Sequence, residues 1–308
     1  MSAPAAPEPS RRRDNPRLGI AMMILVSLIF AFQDGISRHL AMNYHVITVV
    51  TVRFWVFAAI TIVWAVSRGG GLARVARSAH PWTQIARGVL LVAEIWITVI
   101  AFVKLGLIAT HSIFAVYPLL VAALARPLLG EYVGWRRGLA ILAGLVGVLI
   151  ILRPGLHVFD PAAIYPLIGA SMFAVYALLT RKVGRDDSAE TTFFYTGVVG
   201  AAFSTLAVPF FWTPIEGWQD WAWMGTLCLT AVAGHFLLIK TYEVAEASVV
   251  QPFAYFQLVF IGILGVFLFG EKLDSWTIFG TGVILAAGIY TLLRQRRLGA
   301  HPPSPEDG

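Results

Sequence analysis

The stretch Val249–Tyr290 reads VVQPFAYFQLVFIGILGVFLFGEKLDSWTIFGTGVILAAGIY, and Ala109–Ile150 reads ATHSIFAVYPLLVAALARPLLGEYVGWRRGLAILAGLVGVLI. Each runs an apolar segment into Leu/Phe-Gly-Glu, then a Trp four or five residues on, then a Gly-punctuated apolar segment. Gly130-Glu131 matches Gly270-Glu271, Trp135 matches Trp276 with one extra residue, and Gly147 matches Gly288. Farther back, Ser27-Leu28-Ile29-Phe30 resembles Ser171-Met172-Phe173-Ala174, and Arg38 falls opposite Lys182. One structural unit is therefore used twice.

The composition says where that unit sits. Of 308 residues 58% are apolar and 13% charged, and mean hydropathy is +0.75. A soluble domain runs about 45–50% apolar and about 25% charged. A water-soluble globule of this size cannot hide so much apolar surface. Soluble enzyme, disordered chain and nucleic-acid binder are excluded as first readings, leaving a polytopic membrane protein in contact with the lipid bilayer. Cys228 is the single cysteine, so an internal disulfide is excluded. The Pro- and Arg-rich first 17 residues carry no cleavable signal pattern, so the first apolar stretch is expected to remain as a span.

A helix crossing the hydrocarbon core needs about 20 mostly apolar residues. Ten stretches qualify: Leu18–Arg38, Val46–Val66, Ile85–Lys104, Ile108–Leu128, Trp135–Leu152, Pro161–Arg181, Thr191–Trp212, Trp221–Lys240, Ser248–Phe269 and Trp276–Leu293. The expected fold is all-α and integral to the membrane, with ten transmembrane helices. Residues 18–153 and 161–294 form two five-helix repeats, flanked by tails 1–17 and 295–308. Five is odd, so the second repeat must insert upside down, and inverted repeats of this kind mark secondary transporters. With the N-terminus inside, 18 of the 23 Lys and Arg fall in inner segments and 4 in outer ones, Arg53 lying within a span. The positive-inside rule then puts both termini in the cytoplasm. Trp82, Trp135, Trp218, Trp221 and Trp276 stand near span ends, as an interfacial aromatic belt would.

The chain resembles the drug/metabolite transporter superfamily in its ten-helix EamA-type group. The residues that carry the resemblance are Arg53-Phe54, Pro118-Leu119, the two Gly-Glu pairs, Arg153-Pro154-Gly155, Gly234-His235, Ala245-Glu246-Ala247-Ser248 and Gln251-Pro252-Phe253-Ala254-Tyr255. Their order and duplication across residues 18 to 294 make the match specific. The resemblance implies a central substrate cavity lined by helices one, three, four, six, eight and nine, and transport without ATP. The sequence agrees on ATP: the Gly69–Gly71 run lacks the Lys and Ser/Thr of a phosphate-binding loop. Relatives in the superfamily handle amino acids, nucleotide-linked metabolites, riboflavin and S-adenosylmethionine, in either direction.

Ionisable residues inside spans are costly and usually face a cavity or one another. Asp34 and Arg53 sit at similar depth near the outer ends of spans one and two. They are expected to pair, directly or through a polar cluster with Gln33; the alternative is a strut between helices. Glu94, mid-span, has no neighbour in sequence to pair with, and a carboxylate leaving water there suits proton coupling or recognition of a cationic group. The alternative is a protonated acid bonded to the next helix. His111 and His235 can switch a gate or simply bond a carbonyl. Neither has a second ligand at i+3 or i+4, so no metal is expected. Tyr117, Tyr176, Gln251, Tyr255 and Gln257 add neutral hydrogen-bonding groups. Gln251 is the repeat counterpart of His111, and Gln257 that of Tyr117, which suggests a shared cavity wall. Pro118 and Pro252 interrupt spans four and nine. Small-residue spacings such as Ala140–Gly144 and Gly282–Ala286 suit close packing or a homodimer face. Glu131 and Glu271 are expected to cap the helices that follow them.

The expectation is a secondary-active transporter of a bacterial inner membrane, moving a small organic metabolite by alternating access, without cofactor or nucleic acid. Aromatic content points first to riboflavin uptake. The rivals are an amino-acid or other metabolite exporter, or an S-adenosylmethionine carrier. A polytopic enzyme would need clustered acid–base or metal residues, and a channel a wider polar stripe.

Overall fold

Lipid offers no hydrogen-bond partners to a backbone, so a chain this apolar crosses it as helices. The computed structural model describes residues 15–67, 71–130, 135–152 and 161–271, and in the last span 275–276, 278–283, 286–287 and 290. Among the described residues the regular structure is helical throughout. The calls on residues 1–14, on Glu131, on Arg153-Pro154-Gly155 and on residues 291–308 lie outside them.

The helices are α1 (Pro16–Ala41), α2 (Val46–Ser67), α3 (Gly71–Val75), α4 (Pro81–Leu105), α5 (Leu107–Phe114), α6 (Tyr117–Leu129) and α7 (Trp135–Leu152). The second repeat supplies α8 (Ile164–Val183), α9 (Ala189–Thr205), α10 (Val208–Phe211), α11 (Trp218–Val244), α12 (Ala247–Ala254) and α13 (Phe256–Phe269). Among the described residues six segments are long and apolar enough to cross a membrane: α1, α2, α4, Pro161–Val183, α11 and Val249–Phe269. Of the other expected spans, five is the 18-residue α7, seven is shorter, four is divided, and ten lies partly outside the described residues. Span four breaks at Ala115–Val116, so that Pro118 lies in the first turn of α6, where its missing N–H costs nothing. Span nine breaks at Tyr255, not at Pro252, which lies inside α12. Span seven ends at Thr205, four residues before Pro209, whose ring would clash with the Thr205 carbonyl.

The packing exchanges under repeat symmetry. α1 lies against α11, α12 and α13, while α8, its counterpart, lies against α4, α5 and α6. α4 crosses α9 as α11 crosses α2, and α2 packs on α9, its own counterpart. Directions are inverted as well. At one face the Asn15 N–H donates to the Val244 carbonyl, Arg181 to Tyr242 O and Arg185 to Leu129 O. At the other, Arg38 pairs with Glu271, Tyr44 donates to Asp220 and Lys104 lies over the Tyr165 ring. α1 thus runs from the first face, here the N-terminal face, to the far face, and α8 runs back. The arrangement is an all-helical membrane fold of two inverted repeats.

Each face carries a matching polar clasp. At the N-terminal face Asp187 accepts from Ser78 Oγ, the Ala79 N–H and Gln84 Nε2, and His80 meets Asp186 at 2.8 Å. At the far face Asp220 accepts from Tyr44 and lies 3.8 Å from His39. The bond to Asp220 holds the Tyr44 phenol above its ordinary range, so it keeps its proton at physiological pH. Glu271 reaches across the repeat interface, accepts from the Leu107 and Ile108 N–H groups at the start of α5, and pairs with Arg38; residues 272–274, which lead into the next span, lie outside the described residues. Gly270 (φ 62°) and Gly106 (φ 84°) make the turns that bring these ends together, and a Cβ on Gly106 would lie 3.3 Å from the carboxylate.

The repeat interface is tightest where small residues let helices touch. A Cβ on Gly197 of α9 would meet Thr61 Oγ1 of α2 at 2.9 Å and Phe57 Cδ2 at 3.0 Å, whereas Gly225 faces open space. Gly197→Val should therefore lose about 1–3 kcal/mol by overpacking. Gly225→Ala should melt with the parent protein in detergent, and the two melting curves side by side check this.

Candidate functional site

Six of the ten candidate residues converge on one cavity, of about 50 Å³, between the repeats. α1 supplies Phe30, Gln33, Asp34 and Ser37, and α4 supplies Glu94, Thr98 and Phe102. α5 gives His111 and Phe114, α8 gives Phe173, α11 gives His235 and α13 gives Gln257. These belong to spans one, three, four, six, eight and nine, as the resemblance implies. Arg53 adds span two to the wall.

Arg53 is 2% exposed. Its Nη2 lies 2.9 Å from His235 Nε2. With the Gln33 amide oxygen turned inward, Gln33 accepts from both terminal nitrogens at 3.3 Å. Nε has no partner. Among the described residues no carboxylate lies within ion-pair distance of this guanidinium. A direct Asp34–Arg53 pair is therefore not formed. Gln33, which contacts Arg53, precedes Asp34 on α1.

Asp34 instead takes a hydrogen bond from Gln257 Nε2 at 2.9 Å and sits 3.1 Å from His111 Nε2. His111 is off the line of a hydrogen bond and stacks on Phe102, ring centres 5.1 Å apart. Glu94, 4% exposed, accepts from Thr98 Oγ1 at 2.7 Å, one turn along its own helix. The cavity thus holds one cation facing two carboxylates, with imidazoles beside both signs and phenylalanines around them. His235 completes this contrast: Nε2 meets Arg53, while Nδ1 is buried and unpartnered.

Tyr117, Tyr176, Gln251 and Tyr255 stand apart from the cavity. Tyr117 packs edge-on against Phe173. Gln251 Nε2 donates to Tyr242 Oη at 2.7 Å, and its Oε1 is unpartnered. The hydroxyls of Tyr176 and Tyr255 are buried and make no hydrogen bond of normal geometry. Only one member of each repeat-related pair reaches the wall: His111 but not Gln251, Gln257 but not Tyr117. Among the described residues, no group of three or more His, Cys, Asp or Glu is placed to hold a metal.

One charged residue escaped the sequence reading. Arg87 counts by position as an inner-face arginine, yet it is 0% exposed. Nε donates to Thr180 Oγ1, Nη1 donates to Gln84 Oε1, Thr192 O and Thr196 Oγ1, and the Tyr176 ring lies 5.2 Å beneath. The available signal was its place six residues past Pro81, a turn and a half inside a span, with threonines recurring at 192 and 196.

The EamA-like transporter family model matches the chain twice, over residues 17–153 and 160–293. The S-adenosylmethionine uptake transporter of Rickettsia bellii is 26% identical over 287 residues, 91% of this chain and 95% of its own. The riboflavin transporter of Rhizobium johnstonii is 27% identical over 307 residues, 96% and 97% of the two chains. That of Vibrio cholerae is 26% identical over 263 residues, 84% and 87%. A crystal structure with 18% identity superposes with a TM-score of 0.72 over 92% of this chain and 97% of that one, so the fold is shared. The chain belongs to the EamA-like transporter family, within the drug/metabolite transporter superfamily; it is a multi-pass membrane transporter and not an enzyme.

The contact geometry gives a specific expectation. Residues in contact show coupling of about 0.5–3 kcal/mol in double-mutant cycles. In detergent melts, Arg53→Ala with His235→Ala should couple in that range. Arg53→Ala with Asp34→Ala should couple less; the reverse order would restore the direct pair.

Proposed function

We propose that this transporter carries a zwitterionic metabolite bearing a flat ring, of the S-adenosylmethionine class, by alternating access coupled to a proton gradient. The observation that carries the reading is Arg53: a buried guanidinium without a carboxylate in ion-pair range among the described residues, lining a cavity that Asp34 and Glu94 also line. Unpaired charge in a membrane interior costs several kcal/mol. A substrate carboxylate on Arg53, with an ammonium or sulfonium on the acidic wall, offsets both costs at once. Phe30, Phe102, Phe114 and Phe173 supply faces for an adenine ring. Riboflavin, named for other relatives, would use the rings but leave the charges unmatched.

A cavity of about 50 Å³ holds a few waters, while metabolite sites run about 300–1,000 Å³. The wall must therefore part to admit substrate, and two inverted repeats that exchange conformations part it toward each face in turn. Glu94, held only by Thr98, is the group proposed to carry the proton. The described N-terminal face carries Arg17, Arg74, Arg77, Arg181, Lys182, Arg185 and Lys240 against Arg38 and Lys104 at the far face, which supports placing both tails in the cytoplasm of a bacterium.

S-adenosylmethionine at saturating concentration should raise the melting temperature of the purified protein by several degrees. In proteoliposomes Arg53→Gln should lower its uptake at least about tenfold, the worth of one charged hydrogen bond. Glu94→Gln should retain counterflow yet no longer respond to an imposed pH gradient. Stabilisation by riboflavin and not by S-adenosylmethionine would move the assignment to the vitamin. A pH-dependent Glu94→Gln would remove the coupling role.

A further inference from the structure

Arg53 and Arg87 occupy symmetry-related places. Arg53 stands on α2 and touches Gln33 of α1 and His235 of α11. Arg87 stands on α4 and touches Thr180 of α8 and Thr192 and Thr196 of α9. The repeat exchange turns α1, α2 and α11 into α8, α9 and α4, the helices around Arg87. The depths match as well: Arg53 lies seven residues past Val46 from the far face, Arg87 six residues past Pro81 from the N-terminal face. The two residues come from helices that are not repeat counterparts, and they differ in exposure to the cavity. Arg53 faces the cavity, whereas Arg87 is packed away.

We infer that Arg87, with Thr196 and Tyr176, is a second station for the substrate's carboxylate, used when the transporter opens to the N-terminal face. Three observations carry this. Among the described residues Arg87 has no carboxylate in ion-pair range; its partners are hydroxyls, an amide and a carbonyl, each weaker than a carboxylate would be. Around it the N-terminal half of the repeat interface buries the Tyr176 hydroxyl, which faces Arg87 without a hydrogen bond of normal geometry, and leaves Gln251 Oε1 and Tyr255 Oη without partners. Buried polar groups are normally satisfied, so the idle atoms of this half, like those of Arg53, His111 and His235 around the cavity, are free to meet water or a ligand in another conformation. The asymmetry also has the right sign. His111 and Gln257 line the open half, and their counterparts Gln251 and Tyr117 lie in the half that is closed. Exchanging the repeats' conformations opens that half and brings Arg87 to its wall. His235 lies between the two stations, bonded to Arg53 and with its ring 6.3 Å from that of Tyr176.

The inference rests on the substrate reading above, and its test has one arm with substrate and one without. With oriented proteoliposomes and radiolabelled S-adenosylmethionine, Arg87→Gln should raise half-saturation at the N-terminal face about tenfold or more and leave the far face within about twofold. Arg87→Lys should recover part of the loss. Equal changes at both faces, in step with a lower melting temperature, would make Arg87 a structural staple and overturn the station. If the parent protein carries no S-adenosylmethionine, the substrate reading has failed, and the second arm decides this one. In a Cys228→Ala background, Thr196→Cys should react with a membrane-impermeant maleimide added at the N-terminal face. Thr180→Cys replaces it should Thr196→Cys not fold. A thiol that stays protected at that face throughout would end the proposal.

Discussion

A charge in hydrocarbon must be offset, and this protein is arranged around where that is and is not done. At the faces the offset is complete. Arg38 pairs with Glu271, which is also bonded to the N–H groups that open α5, and Asp187 gathers three donors. Each such group ties the two repeats together at a place where water or the interface shares the cost. In the interior the offset is withheld. Arg53 has an imidazole and an amide, and Glu94 has one threonine hydroxyl. Groups so little offset are candidates for completion by a ligand, which is why the proposed site is built on the interior charges.

The second constraint is parity. The two repeats face opposite ways, as five expected spans in each would require, so clasps at one face have relatives at the other. The clasp of Asp187 with Ser78 and Gln84 and the clasp of Asp220 with Tyr44 and His39 join exchanged pairs of loops. Symmetry of connection does not make symmetry of contents. The cavity lies on one side of the repeat axis, and the residues that mirror its lining are packed with their polar atoms idle.

The repeat was legible in the sequence because Leu/Phe-Gly-Glu followed by Trp is a local pattern, and local patterns survive inversion. The site was half legible. Asp34, Arg53, Glu94, His111, His235 and Gln257 stood out because a polar residue in an apolar run is visible without knowing its neighbours. Which of them touch was not, since that depends on helix rotation: Asp34 and Arg53 share a depth, yet Asp34 turns to Gln257 while Arg53 turns to His235. Arg87 was hidden by the counting that fixed the topology. A positive-inside tally weighs a cation near a span end as a surface charge, and only the threonines of another repeat reveal that it is buried. Glu271 makes a contact no single-repeat reading could show: a carboxylate beside a Gly turn reaches a helix start in the other half.

The two clasps differ in how firmly they hold, and this bears on the proposed cycle. At the N-terminal face Asp187 is bonded by Gln84, which is 0% exposed and also contacts Arg87. Opening that face therefore breaks a buried network that runs from the surface to the second arginine. At the far face Arg38 and Glu271 are about a fifth exposed, and His39 and Asp220 more so. Pairs at that exposure are worth about 1 kcal/mol or less, whereas hydrogen bonds broken in a buried network leave unsatisfied groups at about 1–3 kcal/mol each. Without substrate the far face is then the easier to open. A carboxylate arriving from that side at Arg53 can offset the disruption of the Arg87 network only by replacing its neutral partners. On that reasoning the buried network makes opening to the N-terminal face the rarer excursion of the empty carrier in the proposed cycle.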